Sequence, residues 1–497
     1  MPAKKTRRSA VLALALLMAA AVPVRATTPP TFTVVDSIQP GGDASMAMDA
    51  SDSVALGDYL YFAAYNAAHG YELWRTNGTT TELVFDIRTG GNGSYPSNFH
   101  VLGDYLYFVA NDGIVGMELW RTDGTTTEFV FDIRSGNDSS DPDFFTAVGD
   151  YLYFQAYTNA AGTEVWRTNG ITTEQVADVR SGADSSYPEG FTEFGGYVYF
   201  QATDDANGWE MWRTNGTTTT RVTDINSGAG DSYPSDYTVL GDHLYFRAYD
   251  GTNGNEVWRT DGTTTTQVAD IASGVNGSSP SEFTVLGNYL YFRADDGPSA
   301  YELWRTNGTT TTQVADIQSG GGGSFPNYFT AFGDHIYFIA NDGSTGSEVW
   351  RTNGTTTTRV ADINTTGSDG SSPFAFTALG QYLYFIANDG TNFSVYRTNG
   401  TGAELVPFPV AGQRVNCDCY ETNLVAVGGR LYSTVESDAI GHEFAYLDEP
   451  TFGLPETNRH GGANGANGAW TVSLSTLALI TLAVGVGLRR RAGAAQR

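Results

Sequence analysis

Trp74, Trp120, Trp166, Trp212, Trp258, Trp304 and Trp350 follow one another at intervals of 46 residues without a slip, and Tyr396 takes the next place. A chain that repeats in register folds as a series of like units, each covering the apolar face of its neighbour. One unit runs Gly103-Asp104-Tyr105-Leu106-Tyr107-Phe108, then Glu118-Leu119-Trp120-Arg121-Thr122-Asp123-Gly124, then Phe129-Val130-Phe131-Asp132-Ile133. Its β-branched and aromatic runs are short and bounded by Gly, Asn, Asp or Pro, which predicts four strands over residues 99–102, 105–110, 118–122 and 126–133. Between the terminal apolar runs no segment has a helical apolar period.

Between the third and fourth strands stands Asn77-Gly78, Asp123-Gly124, Asn169-Gly170, Asn215-Gly216, Asp261-Gly262, Asn307-Gly308, Asn353-Gly354 or Asn399-Gly400. Asn-Gly and Asp-Gly favour the positive φ angles of a type I′ hairpin. Several of these also read as glycosylation sequons, but Asp replaces Asn twice, so turn chemistry accounts for the position.

Four-stranded units of this length are the size of propeller blades; a β-solenoid, whose rungs are usually shorter, is the alternative. The Leu-Tyr-Phe strand occurs eight times, with a worn ninth copy at Arg430-Leu431-Tyr432, and the Glu-Leu-Trp strand has a worn copy at Glu443-Phe444-Ala445. The ninth unit lacks its last strand, while residues 32–38 are a spare one at the other end of the chain. The expectation is therefore an all-β fold: a single large β-propeller of about nine four-stranded blades. Eight full 46-residue repeats are joined by one split blade, closed by the N-terminal strand. An eight-bladed ring with an appended partial unit stays open.

Glu118-Leu119-Trp120-Arg121-Thr122-Asp123-Gly124-Thr125 resembles the signature of the ELWxxDGT repeat proteins, and the resemblance extends over about residues 31–446. It implies a propeller-like, exported microbial protein and brings no catalytic residues with it.

The ends speak of location. Residues 1–26 read as a signal peptide: Lys4, Lys5, Arg7 and Arg8 precede an apolar run that ends near Val24-Arg25-Ala26. Residues 27–450 are the repeat domain and residues 451–468 a Gly/Asn-rich linker. Residues 469–488 carry no charge and, at about 1.5 Å per residue, reach roughly 30 Å, so they are expected to be one C-terminal transmembrane helix. Residues 489–497 are the basic cytoplasmic tail, by the positive-inside rule. Leu454-Pro455-Glu456-Thr457 also looks like the start of a sortase signal, which leaves retention or processing of the anchor open. The expected location is the cell surface or the extracellular space.

Outside the signal and the tail stand 18 basic and 55 acidic residues, a net of about −37. That excludes nucleic acid as a partner, since counterion release needs clustered cations. Cys417 and Cys419 are the only cysteines; export allows a disulfide between them, but an i, i+2 pair needs a bent backbone, so either state is open. No cofactor is indicated. Calcium is left as a ligand of oxygen-rich loops such as Asn137-Asp138-Ser139-Ser140-Asp141-Pro142-Asp143, although the EF-hand spacing is missing.

The repeated Glu, Trp and Arg read as architecture, with Arg paired to acids and Trp filling the interblade core. A catalytic site needs a unique constellation, and no GxSxG, HExxH or P-loop pattern occurs. One position varies while its neighbours do not: in Tyr-Leu-Tyr-Phe-x-Ala, x is Ala63, Val109, Gln155, Gln201, Arg247, Arg293, Ile339 and Ile386. By the two-residue alternation x faces opposite to Phe and Ala, so Gln155, Gln201, Arg247 and Arg293 form a polar arc. If that strand is close to the central channel, the arc is a candidate site for a sugar or carboxylate; otherwise it fills space between blades. The sequence reading is a non-catalytic surface platform, not an enzyme, that binds an extracellular glycan or protein ligand. The alternative is a propeller-based glycan hydrolase or lyase, to be recognised by two carboxylates converging in one place.

Overall fold

The computed structural model of the chain describes residues 31–35, 38, 53–274, 276–297, 300–366, 369–408, 414–415, 424–437 and 441–448. These form nine antiparallel sheets in a β-propeller. No helix occurs among the described residues, so none there is long and apolar enough to cross a membrane. The signal, Cys417, Cys419, the linker, the expected membrane span and the tail lie outside them.

Blade two shows the plan: Ser97–Leu102, Tyr105–Asn111, Met117–Thr122 and Thr127–Phe131 pair in chain order. The first strands of successive blades lie side by side and form the inner rim. They are tied by side chains: Asn98 Nδ2 donates to Pro142 O at 3.0 Å, Thr146 Oγ1 to Phe191 O at 3.2 Å and Thr377 Oγ1 to Leu424 O at 2.7 Å.

Alternation along the second strand fills both interblade spaces. Leu106, Phe108 and Ala110 pack with Trp120 against Tyr61 and Leu73 of the blade before, whereas Tyr107 points into the next junction with Leu152, Phe154 and Trp166. Nearly every residue of this strand is therefore buried, and Trp fills the interblade core as the repeat predicts.

The Asn-Gly turn departs from the type I′ expectation. Thr76 pairs with Thr81, which leaves a four-residue loop, and within it only Gly78 has positive φ, at 83°. The Asn77 side chain accepts hydrogen bonds from the N–H groups of Thr79 and Thr80, both at 2.9 Å, so Asn and Asp are favoured here as caps of an Asx turn.

The glycine of this loop has a second duty. A Cβ on Gly124 would meet Tyr61 Oη and Arg75 Nη1 of the preceding blade, and that guanidinium donates to Gly124 O at 2.7 Å. Arg75 also grips Glu82 at 2.6 Å and stacks 4.4 Å above the Tyr59 ring. Its counterparts Arg121, Arg167, Arg213, Arg259, Arg305 and Arg351 each reach the glycine of the next blade, so each blade is stapled to its successor.

The ring closes as the spare strand predicts. Thr33 pairs with Tyr446 and Val34 with Ala445, which makes the N-terminal segment the outermost strand of blade nine. Phe32 is 1% exposed in the cluster that holds Leu431 and Val435. Arg430 donates to Asn77 O, so blade nine is stapled to blade one. Among the described residues no such glycine lies ahead of Arg397 of blade eight, because the fourth strand of blade nine comes from the other end of the chain.

Candidate functional site

Each blade has two edges. The Asn-Gly turns and the turns between first and second strands occupy one. The other, the loop face, carries the connections between blades and the loops between second and third strands.

Buried carboxylates hold the loop face together. Glu118 is fully buried; its Oε2 accepts from Ile133 N at 3.1 Å and Ser140 Oγ at 2.6 Å, and its Oε1 from Ser140 N at 2.8 Å. Burial pushes this carboxyl up to about 7 against the opposing pull of those hydrogen bonds, and Glu164 is raised to about 7 in the same way. Glu72, Glu256, Glu302 and Glu348 clamp the corresponding loops. These acids thus bind loop backbone and Ser hydroxyls, while the repeated Arg pairs with Glu82, Glu128 or Glu174 on the fourth strand.

At the rim the first strand of a blade begins with a bulge. In blade two the pairing Ser97↔Val109 shifts by one residue before His100↔Tyr107. The extra residue is left-handed: Asn98, Phe144, Asp236, Glu282, Tyr328 and Ala375 have φ between 56° and 63°, and Gly190 has 69°. Such a backbone costs about 1–2 kcal/mol in a non-Gly residue. A bulge re-aims one side chain per blade, and here that side chain differs from blade to blade.

The variable arc is therefore one strand outside the rim and does not line the channel by itself. It meets the rim through its partners. Gln155 pairs with Asp143 and Gln201 with Glu189 across the first two strands, and Gln201 Nε2 donates to Glu189 Oε1. Arg247 is 3.6 Å from the Asp236 carboxylate. Arg293 Nε donates to Ser281 Oγ at 2.7 Å, and its guanidinium is 5.3 Å from the Tyr301 ring. Gln201, Arg247 and Arg293 are thus engaged by neighbours in their own blades.

Blades four and five depart from the repeat together. The rim aromatic is Phe99, Phe145, Phe191, Phe283, Phe329 and Phe376 in other blades, but Tyr237 in blade five. Its ring lies over Gly190, where a Cβ would stand 2.9 Å from it. The Tyr237 hydroxyl is buried without a hydrogen-bond partner among the described residues. Burial holds this phenol well above its ordinary value, and the charges of Glu189, Glu210 and Asp236 push it further.

Glu210 is altered too. It takes Thr223 Oγ1 at 2.6 Å, while Ser232 Oγ turns to Trp209 O at 3.0 Å. Asp236 is a bulge residue that accepts from Ser235 Oγ at 3.0 Å. Sequence reasoning missed this cluster, because Glu189 and Asp236 are in the variable lead-in to each blade. A comparison of residues 189–190 and 236–237 with their counterparts 46 residues away carries the signal.

Elsewhere the site candidates are occupied. Arg134 approaches Asp138 at 3.3 Å and Ser139 O at 3.1 Å, so the oxygen-rich loop 137–143 is tied to protein groups. Among the described residues no three His, Cys, Asp or Glu side chains are grouped to hold a metal. A cleft of about 290 Å³ on the turn face, lined by Tyr151, Arg167 and Glu193, belongs to the staple between blades three and four.

The fold and its rim define a nine-bladed β-propeller with one irregular blade junction. No family model matches the sequence, and no curated protein sequence is similar to it. Among solved structures the chain is similar to a prolyl endopeptidase, at 13% identity and TM-score 0.40, over 69% of this chain and 55% of that one. It is also similar to a puromycin hydrolase mutant complexed with PGG, at 13% identity and TM-score 0.34, over 72% and 62%. The chain thus spans little more than half the length of these enzymes, and a likeness so distant transfers neither substrate nor catalytic residue. Both matched proteins are nonetheless hydrolytic enzymes, and that finding stands against the expectations of a non-catalytic platform and of a protein that is not an enzyme. Those two expectations are not carried forward.

Proposed function

We propose that the chain is an exported glycan hydrolase working at the rim of blades four and five. One observation carries this reading: where the repeat breaks, two carboxylates on successive inner strands, Glu189 and Asp236, flank one buried phenol, Tyr237. Glycoside hydrolysis needs such a pair, one carboxyl to protonate the leaving oxygen and one carboxylate to activate water or attack the sugar. Asp236 faces Arg247 at 3.6 Å. Glu189 is held through Oε1 by the side-chain amide of Gln201. The repeat resemblance, the signal-like start and the apolar C-terminal stretch support an ELWxxDGT-type protein held at the cell surface.

The test is release of new reducing ends from a panel of neutral and acidic polysaccharides. Glu189→Gln and Asp236→Asn should each lower the rate by about 10²-fold or more, as loss of a general acid or base does. Both should keep the wild-type unfolding midpoint. Undiminished hydrolysis in both variants, or none by the wild type on any polysaccharide, refutes the proposal. An unsaturated, ultraviolet-absorbing product would assign elimination instead.

A further inference from the structure

Beside this rim cluster stand aromatic rings that the core does not use. The residue three places before each bulge is left-handed as well: Tyr95, Asp141, Tyr187, Tyr233, Ser279, Phe325 and Ser372, with φ between 43° and 54°. Asp and Ser suit such a position, because their short polar side chains bond locally. A tyrosine has no such compensation, yet Tyr187 is 51% and Tyr233 49% exposed. Strained backbone that presents large apolar groups to water points to a ligand rather than to packing.

Tyr187 and Tyr233 flank Trp209, with ring centroids 6.3 and 6.4 Å away and planes inclined by only 27° and 24°. Elsewhere Tyr71 stacks on Tyr95 at 5.4 Å and meets Tyr65 of its own blade at 5.3 Å, while Tyr301 and Phe325, 5.9 Å apart, are tilted by 42°. Only at Trp209, among the described residues, do the lead-in rings of two successive blades stack on one residue. This row ends beside Glu189 and Asp236, two and three residues along the chain from Tyr187 and Tyr233.

Polar groups edge the row. Asp231 accepts from Tyr233 Oη at 2.7 Å and from Trp209 N at 3.0 Å, and Asn207 Nδ2 donates to Asp204 at 2.7 Å. Flat rings bordered by carboxylates and an amide match a sugar ring, whose C–H face lies on the π surface while its hydroxyls reach the polar edge. Asp231 borders the row, and Arg180 is engaged by Asp205 at 2.5 Å and approached by Asp184 at 3.9 Å, so a polyanionic chain is disfavoured.

We infer that Tyr187, Trp209 and Tyr233 form a stacking track for a neutral oligosaccharide, delivering it to the blade four–five rim. This deepens the hydrolase reading and rests on it for the substrate's destination. The probes are cellohexaose and maltohexaose, with hexagalacturonate and a decaproline peptide for comparison, followed by tryptophan fluorescence and by calorimetry. The protein carries Glu189→Gln and Asp236→Asn, so that binding is read without turnover.

At least one neutral hexasaccharide should bind. Tyr187→Ala with Tyr233→Ala should weaken it tenfold or more at an unchanged unfolding midpoint, and Tyr187→Phe with Tyr233→Phe should restore it. Binding of neither neutral sugar, binding indifferent to the alanine pair, or binding of only the polyanion or the peptide overturns the track. Turnover separates the two readings. Neutral-sugar binding that depends on the aromatics, without hydrolysis by the wild type, leaves the track standing and the hydrolase fallen. Hydrolysis that the aromatic variants do not alter has the reverse meaning.

Discussion

The buried glutamates make stability depend on pH in a direction opposite to that of most carboxylates. Glu118 and Glu164 have folded-state values near 7 instead of the ordinary 4.5, because burial disfavours the charged form. The folded chain therefore holds their protons more tightly than the unfolded chain does. Their contribution is complete below about pH 4.5, is lost as pH rises through about 7, and is level above that. For either residue the span corresponds to about 3 kcal/mol, at about 1.4 kcal/mol per pH unit.

Among the described residues His100 opposes this trend within the window, because burial disfavours its charged form, but one imidazole stands against the two carboxyls. Asp342 is lowered to about 2, burial being outweighed by hydrogen bonds from Thr345 and Ser344, so what it adds fades only in stronger acid. Urea unfolding followed by tryptophan fluorescence should give a protein more stable near pH 5 than near pH 8. Glu118→Gln separates this effect from general relief of negative charge. It removes the titration, but sets an amide donor against the N–H or O–H groups of Ser140 and Ile133. The variant should fall below wild type near pH 5 by about 1–3 kcal/mol and approach it near pH 8. Equal pH slopes in the two proteins, or a wild type that weakens on acidification through this window, would refute the argument.

Closure is the next point of attack: Phe32→Ala, at a side chain 1% exposed and 5.0 Å from the Phe408 ring, should cost about 3–5 kcal/mol in the same unfolding assay. Deleting residues 31–38 should add aggregation by baring an edge of blade nine, and an unchanged midpoint would argue against a closed ring. Truncation before Trp470 should move the protein from a membrane fraction to the medium, as read by immunoblot of the two fractions, and the full-length chain should stay with the membrane.

The propeller was legible because its periodic positions are its packing positions. The 46-residue register of Trp, the alternation of Tyr-Leu-Tyr-Phe and the spare strand at residues 32–38 are each fixed by interblade contacts. The turn was half legible: Asn-Gly marked its place, but the side-chain cap of Asn77 replaces the second positive φ of a type I′ turn. The variable arc is visible in the pattern, but its distance from the channel is left open by the sequence, since periodicity says which face a residue takes and not which strand is innermost. The rim cluster was not read because Gly190 and Tyr237 are neighbours only across a blade junction, 47 residues apart in the chain. The repeated Arg pairs with an acid as its pattern suggests, but which acid is not legible: Glu82, Glu128 and Glu174 take it, while the repeated Glu is buried on loop N–H groups.

The arginine staples are indifferent to the order in which blades were synthesised. Arg430 grips the turn at Asn77 as Arg75 grips Gly124, although one link joins residues 353 positions apart and the other 49. Seen from the finished ring, the chain's beginning is an address rather than a place. Ends moved to another blade junction would leave the staple from blade nine to blade one intact, and a covalent turn joining Asp448 to Thr33 would take over the role of the present break. A duplicated 46-residue unit inserted between blades would likewise bring its own arginine and its own glycine. A ring built this way can be lengthened or reopened by whole blades while the irregular junction at blades four and five is kept.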